Sequence, residues 1–150
     1  MTTRRRLLAA CSATLALGAL SGCEKPAPLV TLVSGDQSVY SEAVVYCFEE
    51  DATLETDECA QRAEGPTRLE VRPGEQIGVD VGKDLVERGW RFKLGSDENP
   101  DYVSQVFEDQ HYFAFEAPPL PGTGALFTVF TSDDEDVPTG EWRLQLVPKD

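Results

Sequence analysis

Hydrophobic and polar side chains alternate with a period of two through much of this chain. In the run Gln76–Val81, the residues Ile77, Val79 and Val81 fall on one face, and Gln76, Gly78 and Asp80 fall on the other. Such alternation is typical of an antiparallel strand with one buried and one solvated face. The same pattern predicts strands at 29–33, 39–48, 68–72, 76–81, 90–94, 111–116, 126–131 and 142–146.

Glycine and proline punctuate these runs, and only one short helical turn is predicted, near Lys83–Arg88. The turn signals are Pro73-Gly74, Asn99-Pro100, Pro118-Pro119, Pro121-Gly122 and Pro138-Thr139-Gly140. Short strands with frequent turns are typical of a two-layer β fold. We therefore predict an all-β chain forming a single β-sandwich with immunoglobulin-like topology. A small closed β-barrel is the alternative.

The alternation also sorts the aromatic residues. It places an inward-facing set in the core, namely Trp90, Phe92, Phe113, Phe115 and Trp142. Tyr40 and Tyr46 are predicted to share one strand face with Glu42, Val44 and Phe48. Because tyrosine is enriched at protein interfaces, an exposed face of this kind is a candidate partner surface.

The first 23 residues differ from the rest of the chain. Three arginines precede an uncharged run of 14 residues, Leu7–Leu20, which is too short for a membrane span of about 20 residues. The order of basic, apolar and small residues is typical of a secretory signal. The segment Leu20-Ser21-Gly22-Cys23 resembles the lipobox of bacterial lipoprotein precursors. This resemblance implies cleavage between Gly22 and Cys23 and a diacylglyceryl lipid anchor on Cys23.

These features predict three parts: a lipoprotein signal peptide at 1–22, a lipidated cysteine with a proline-rich tether at 23–28, and a β-sandwich domain at 29–150. Two acyl chains hold a protein stably on a bilayer without a span. We expect an extracytoplasmic location on the cell membrane, with membrane contact through the lipid anchor only. The arginine cluster also resembles a twin-arginine signal, so either that route or general secretion could export the chain.

Charge narrows the choice of partners. The 150 residues include 27 acidic and 13 basic ones, and removal of residues 1–22 would leave only 10 basic residues. Phosphate recognition needs clustered Lys and Arg, so we expect no nucleic-acid partner. Two further cysteines, Cys47 and Cys59, lie in the exported part, where a pair most often forms a disulfide. The bridge would close the acidic loop between them.

No catalytic motif is recognisable, and no cofactor or metal site is predicted. His111 is the only imidazole, and we interpret it as a partly buried or edge-strand residue. The acidic run Asp133–Asp136 lacks the spacing of a calcium-binding EF-hand loop and is interpreted as a solvated hairpin tip, as are Asp97, Glu98 and Asp101.

Three segments together resemble an uncharacterised family of actinobacterial lipoproteins. They are Cys23-Glu24-Lys25-Pro26, the run from Ser41-Glu42-Ala43 to Tyr46-Cys47, and Gly140–Val147. The family has no assigned activity, so the resemblance implies location and fold and no catalytic residues. We expect a non-enzymatic binding or interaction domain with an envelope protein as a possible partner. The alternatives are a calcium- or small-solute-binding accessory lipoprotein and, last, an envelope hydrolase using a carboxylate pair.

Overall fold

The computed structural model describes residues 25–49, 52–54, 59–61, 65–96, 98–132 and 137–149. These residues form eleven strands and one short helix. In chain order they are β1 (Val30–Ser34), β2 (Gln37–Ser41), β3 (Ala43–Tyr46), β4 (Ala60–Gln61), β5 (Thr67–Val71), β6 (Gln76–Val81), α1 (Lys83–Arg88), β7 (Arg91–Gly95), β8 (Pro100–Val103), β9 (Tyr112–Glu116), β10 (Ala125–Ser132) and β11 (Pro138–Pro148).

The strands build two sheets. Sheet A has the order β2-β1-β6-β9, and all of its pairs are antiparallel. Sheet B has the order β4-β3-β11-β10-β7-β8, and β5 pairs in parallel with the second half of β11. Within the described chain the two sheets remain separate layers. The β-sandwich prediction is therefore confirmed, and the closed-barrel alternative is wrong.

The strand order contains the pairings of an immunoglobulin-like sandwich. In that fold, strands A, B and E are neighbours in one sheet and C, F and G in the other. Here β1, β6 and β9 have the first arrangement, and β7, β10 and β11 have the second. The departure lies between β1 and β6, where β2 extends sheet A and β3, β4 and β5 extend sheet B.

Aromatic side chains from both sheets fill the space between the layers. The ring of Phe92 on β7 lies 4.9 Å from that of Phe127 on β10 and 5.2 Å from that of Phe115 on β9. Trp90 and Trp142 are fully buried. Within the predicted inward-facing set, Trp90, Phe92 and Trp142 are thus confirmed as core. Phe113 and Phe115 are partly buried and pack against that core, because alternate residues of each strand point into the sandwich.

The predicted single strand at 39–48 is wrong. The chain leaves sheet A after Ser41 and joins sheet B at Ala43. The Ser41 hydroxyl lies at this crossing, with its oxygen 2.9 Å from the carbonyl oxygen of Glu42 and 3.1 Å from that of Arg143 on β11. The alternation of side chains did not predict two other strands: the two-residue β4, and β8, which begins at the proline of a predicted turn.

The crossing also overturns the predicted Tyr40–Tyr46 face. Tyr40 is 61% exposed on the outside of sheet A, whereas Tyr46 is 1% exposed between the sheets. On β3, Ala43 pairs with Trp142 and Val45 pairs with Glu141, so Val44 is an extra, unpaired residue. A bulge of this kind reverses the alternation of faces after it. Tyr46 therefore points inwards, and its ring lies 5.7 Å from that of Trp142.

Candidate functional site

The first described residues are docked at one end of the sandwich. Ala27 is buried, and the indole N–H of Trp142 donates a 2.8 Å hydrogen bond to the carbonyl oxygen of Pro28. The ammonium group of Lys25 lies 3.1 Å from the Asp84 carboxylate on α1. Ala27 and Pro28, which the sequence analysis assigns to the tether, therefore pack against the domain. The predicted anchor Cys23 and its neighbour Gly22 lie outside the described residues.

The disulfide between Cys47 and Cys59 is present near this end. It joins the residue after β3 to the residue before β4, and these two short strands pair with each other. Arg88, the last residue of α1, donates hydrogen bonds to the carbonyl oxygens of Cys47 and Phe48 at 2.9 and 3.2 Å. The bridge and the guanidinium together hold the edge of sheet B against α1.

Arg88 also lies over the ring of Tyr46, with its guanidinium carbon 5.0 Å from the ring centroid. Burial raises the pKa of Tyr46, and the positive charge of Arg88 opposes part of that shift. The phenol is therefore neutral at physiological pH. These contacts give Tyr46 a packing role, so the one tyrosine of the predicted pair that reaches solvent is Tyr40.

The outer face of sheet A is the surface composed of the residues that point away from sheet B. One row across the strands reads Tyr40, Thr31, Asp80 and Tyr112, each paired with the next through the register of the sheet. The adjacent row consists of smaller residues, namely Ser38, Val33, Gly78 and Ala114. Tyr112 is 49% exposed. The outer face of sheet A therefore presents two tyrosines, one near each edge, beside a row of smaller side chains.

The side chain of Tyr112 rests on Gly78. A methyl group built at Gly78 would lie 2.1 Å from the phenol oxygen and 2.6 Å from two carbons of the ring. Only glycine at this position therefore leaves room for the ring to lie where it does. Packing of an aromatic side chain over a glycine on a neighbouring strand is a known way to cover the exposed glycine backbone.

A shallow depression of about 380 Å³ lies next to this ring. It is lined by Val33, Gly35, Glu75, Gln76, Gly78 and Tyr112. The Glu75 carboxylate is held in place because one of its oxygens accepts a 3.0 Å hydrogen bond from the backbone N–H of Arg72. That bond is the main cause that lowers the pKa of Glu75. The depression thus combines an aromatic wall with an oriented carboxylate and an exposed amide.

The outer face of sheet B has a different chemistry. Lys93 and Arg143 flank Thr128 in one row, and Arg91 and Glu141 flank Phe130 in the next. The guanidinium carbon of Arg91 lies 4.7 Å from the centroid of the Phe130 ring, and Arg143 forms an ion pair with Glu141. The long basic side chains therefore lie over the sheet and engage their own neighbours.

The other chemical candidates are not brought together by the fold. Within the described ranges, no group of three or more His, Cys, Asp or Glu side chains is arranged to hold a metal ion. Glu98 and Asp101 are exposed, whereas Asp97 and Asp133–Asp136 lie outside the described residues. His111 is exposed just before the edge strand β9, with its Nδ1 atom 3.4 Å from the carbonyl oxygen of Val81.

No helix among residues 25–149, as far as they are described, has the length and hydropathy needed to cross a membrane. Comparison with known proteins adds no assignment. A scan against protein-family models finds no match for this chain, and a search of the curated proteins finds no significant match.

Proposed function

We propose that this chain is a lipid-anchored, extracytoplasmic lipoprotein whose sandwich serves as a non-enzymatic binding domain of the bacterial cell envelope. The proposal starts from the signal-like segment at 1–22 and the lipobox-like segment that ends at Cys23. In the resembled family, that cysteine carries the lipid and becomes the first residue of the mature chain.

The single structural observation that carries the proposal is the Cys47–Cys59 disulfide. Disulfides of this structural kind persist in oxidising compartments and are rare in the cytoplasm. Because the bridge joins β3 to β4, the folded domain is more stable in an oxidising compartment, where the disulfide persists. This support comes from a part of the chain that is independent of the signal-like segment.

The docked N-terminal segment supports a close and oriented attachment. Four residue steps separate Cys23 from the buried Ala27, which is about 14 Å of fully extended chain. A lipid on Cys23 would therefore hold this end of the sandwich near the bilayer. The outer faces of both sheets would then point sideways, where neighbouring envelope components could reach them.

Replacement of the proposed anchor tests this function directly. In cells given radiolabelled palmitate, the natural chain should carry label and fractionate with membranes, whereas Cys23→Ser should carry no label. The matched control is Cys11→Ser, which removes a cysteine from the apolar run and should leave both labelling and membrane fractionation unchanged. An unlabelled natural chain, or a mature N terminus other than Cys23 by mass spectrometry, would contradict the proposal.

A further inference from the structure

We propose that the outer face of sheet A is a carbohydrate-binding surface that takes a neutral polysaccharide chain. Tyr112 would stack on a sugar ring, and the depression beside it would receive the sugar hydroxyl groups. The inference rests on the proposed function, because it names the ligand class and the surface of that binding domain. It is carried by the positions of Tyr112, Gly78, Glu75 and Tyr40.

The first argument is that the aromatic platform is already formed. The Tyr112 side chain lies over Gly78, a position where a side chain would collide with it, and it stays about half exposed to solvent. A ring held by its own sheet loses little conformational freedom when a ligand arrives. A tyrosine also offers an apolar surface for the C–H groups of a sugar together with a polar hydroxyl.

The second argument is the set of hydrogen-bonding groups at the ring. The depression under Tyr112 contains the Glu75 carboxylate and the exposed Gln76 side chain. Glu75 is oriented through its bond to the Arg72 N–H, and a carboxylate has further lone pairs that can accept from hydroxyl donors. A depression that pairs an aromatic wall with a few fixed polar groups is the usual make-up of a small-ligand site.

The third argument is charge. The four strands of sheet A, all of them described, contain no Lys or Arg. The exposed carboxylates of Asp80 and Glu116 lie on the same outer face, so an anionic ligand would be repelled. A neutral ligand with many hydroxyl groups can instead donate hydrogen bonds to these carboxylates. Hydroxyl groups need no compensating charge.

The fourth argument is extent. Tyr40 and Tyr112 stand on β2 and β9, which are three strand spacings apart, or roughly 14 Å. Thr31 and Asp80 lie between them in the same row. Polar groups therefore continue from one tyrosine to the other, and the surface suits several linked sugars better than a single one.

The test is retention of the mature protein on immobilised neutral polysaccharides. The protein is extracted from membranes in a zwitterionic detergent, because detergents with sugar head groups would compete. Beads carrying mannan, dextran or arabinogalactan are compared with beads carrying dextran sulfate or poly-lysine. We expect retention on at least one neutral polysaccharide and none on dextran sulfate. Poly-lysine should retain this acidic chain only through general charge attraction, which salt weakens and which should not depend on Tyr112.

Three variants decide whether the retention uses the proposed surface. Tyr112→Ala should weaken binding about tenfold, as expected for the loss of one stacked ring. Gly78→Ala keeps the tyrosine but displaces its side chain, so it should weaken binding similarly. Tyr102→Ala is the matched control, because Tyr102 is 51% exposed but belongs to β8 of sheet B, and it should bind like the natural protein.

Thermal melting of each variant checks that it is folded. Tyr112→Phe keeps an aromatic ring, so it should recover the binding that Tyr112→Ala loses. Absence of retention on every neutral polysaccharide, equal retention of Tyr112→Ala and Tyr102→Ala, or Tyr112-dependent retention on poly-lysine would each overturn the inference. The palmitate experiment separates the two proposals. A chain that carries the palmitate label but is not retained on any neutral polysaccharide would support the lipid anchor and refute the polysaccharide ligand. An unlabelled chain that shows Tyr112-dependent retention would refute the anchor and support the ligand.

Discussion

Sheet A and sheet B turn opposite chemistry towards solvent, although both belong to one strongly acidic chain. The outer face of sheet A presents Tyr40, Asp80 and Tyr112, and its four strands contain no Lys or Arg. Sheet B presents Arg91 and Lys93 on β7 and Arg143 on β11, the two strands that flank β10. Net charge alone would not reveal this difference.

The two faces also differ in how far they are covered. On sheet B, the Arg91 side chain lies over Phe130, and Thr128, paired with Lys93 and Arg143, is buried. On sheet A, short residues such as Ser38 and Ala114 leave the strands accessible, and the Tyr112 ring lies over Gly78. An accessible face with a preformed ring is better suited to bind a ligand than a face whose side chains already engage one another.

The largest expected effect concerns the crosslink, which belongs to sheet B alone. Replacing both cysteines, Cys47→Ala with Cys59→Ala, should lower the free energy of unfolding by about 3 kcal/mol, because the bridge closes a loop of about a dozen residues. Urea denaturation measures this loss. In the presence of reductant, the free energy of unfolding of the natural protein should approach that of the double variant, whereas that of the double variant should not change. A loss below about 0.5 kcal/mol would show that the edge of sheet B is held by Arg88 without the bridge.

A pair of threonines on β10 gives a smaller effect. The hydroxyl of the buried Thr128 has no hydrogen-bond partner within the described part of the chain, whereas that of Thr131 lies 3.0 Å from the Thr139 hydroxyl. We expect Thr128→Val to raise the free energy of unfolding by about 1 kcal/mol and Thr131→Val to lower it by a similar amount. Denaturation midpoints of the two variants measure the contrast, and a change of the same sign in both would refute the account.

The smallest effect sharpens the description of sheet A. The pKa of Glu75 is lowered in the folded protein, chiefly by the Arg72 N–H, from its ordinary value of 4.5. The corresponding stabilisation is therefore complete above pH 4.5 and is lost as the pH falls through the folded pKa. Glu75→Gln should melt below the natural protein at pH 7, and the gap should close in acid. A gap that stays constant would mean that the Arg72 contact does not depend on the charge.

Much of the fold was predictable because its strands follow simple alternation. The runs around Ile77, Phe92 and Leu144 each have one buried and one solvent-facing side. The alternation of hydrophobic and polar residues therefore identified them directly as strands. The helical turn at Lys83–Arg88 was also predicted and is confirmed. The disulfide followed from the two cysteines that lie beyond the signal-like and lipobox-like segments.

The crossing after Ser41 was not predictable in the same way. Residues 39–48 are apolar enough for one long strand, and the break lies where pairing with β11 begins, at Ala43 opposite Trp142. The bulge at Val44 is likewise set by pairing with β11. Because neither partner is local, alternation assigned Tyr46 to the wrong side.

The surface on sheet A was missed for a related reason. Tyr40 and Tyr112 are 72 positions apart, and only the order of strands in the sheet places them in one row. One local signal existed, which is the glycine within the otherwise regular run Gln76–Val81. A glycine inside a strand often marks the close approach of another group, and here that group is the Tyr112 ring.

The position of β1 would have a mechanical consequence if the chain carries the proposed lipid on Cys23. A pull on that lipid would reach the domain through Pro28, which the Trp142 indole holds, and then through β1, which is paired with β2 on one side and β6 on the other. Tension along that strand is shared by two ladders of hydrogen bonds loaded in shear, so they must yield together rather than unzip one after another. A lipid-anchored protein that thermal motion pulls between the bilayer and a bound ligand would then keep the outer face of sheet A intact under such a load.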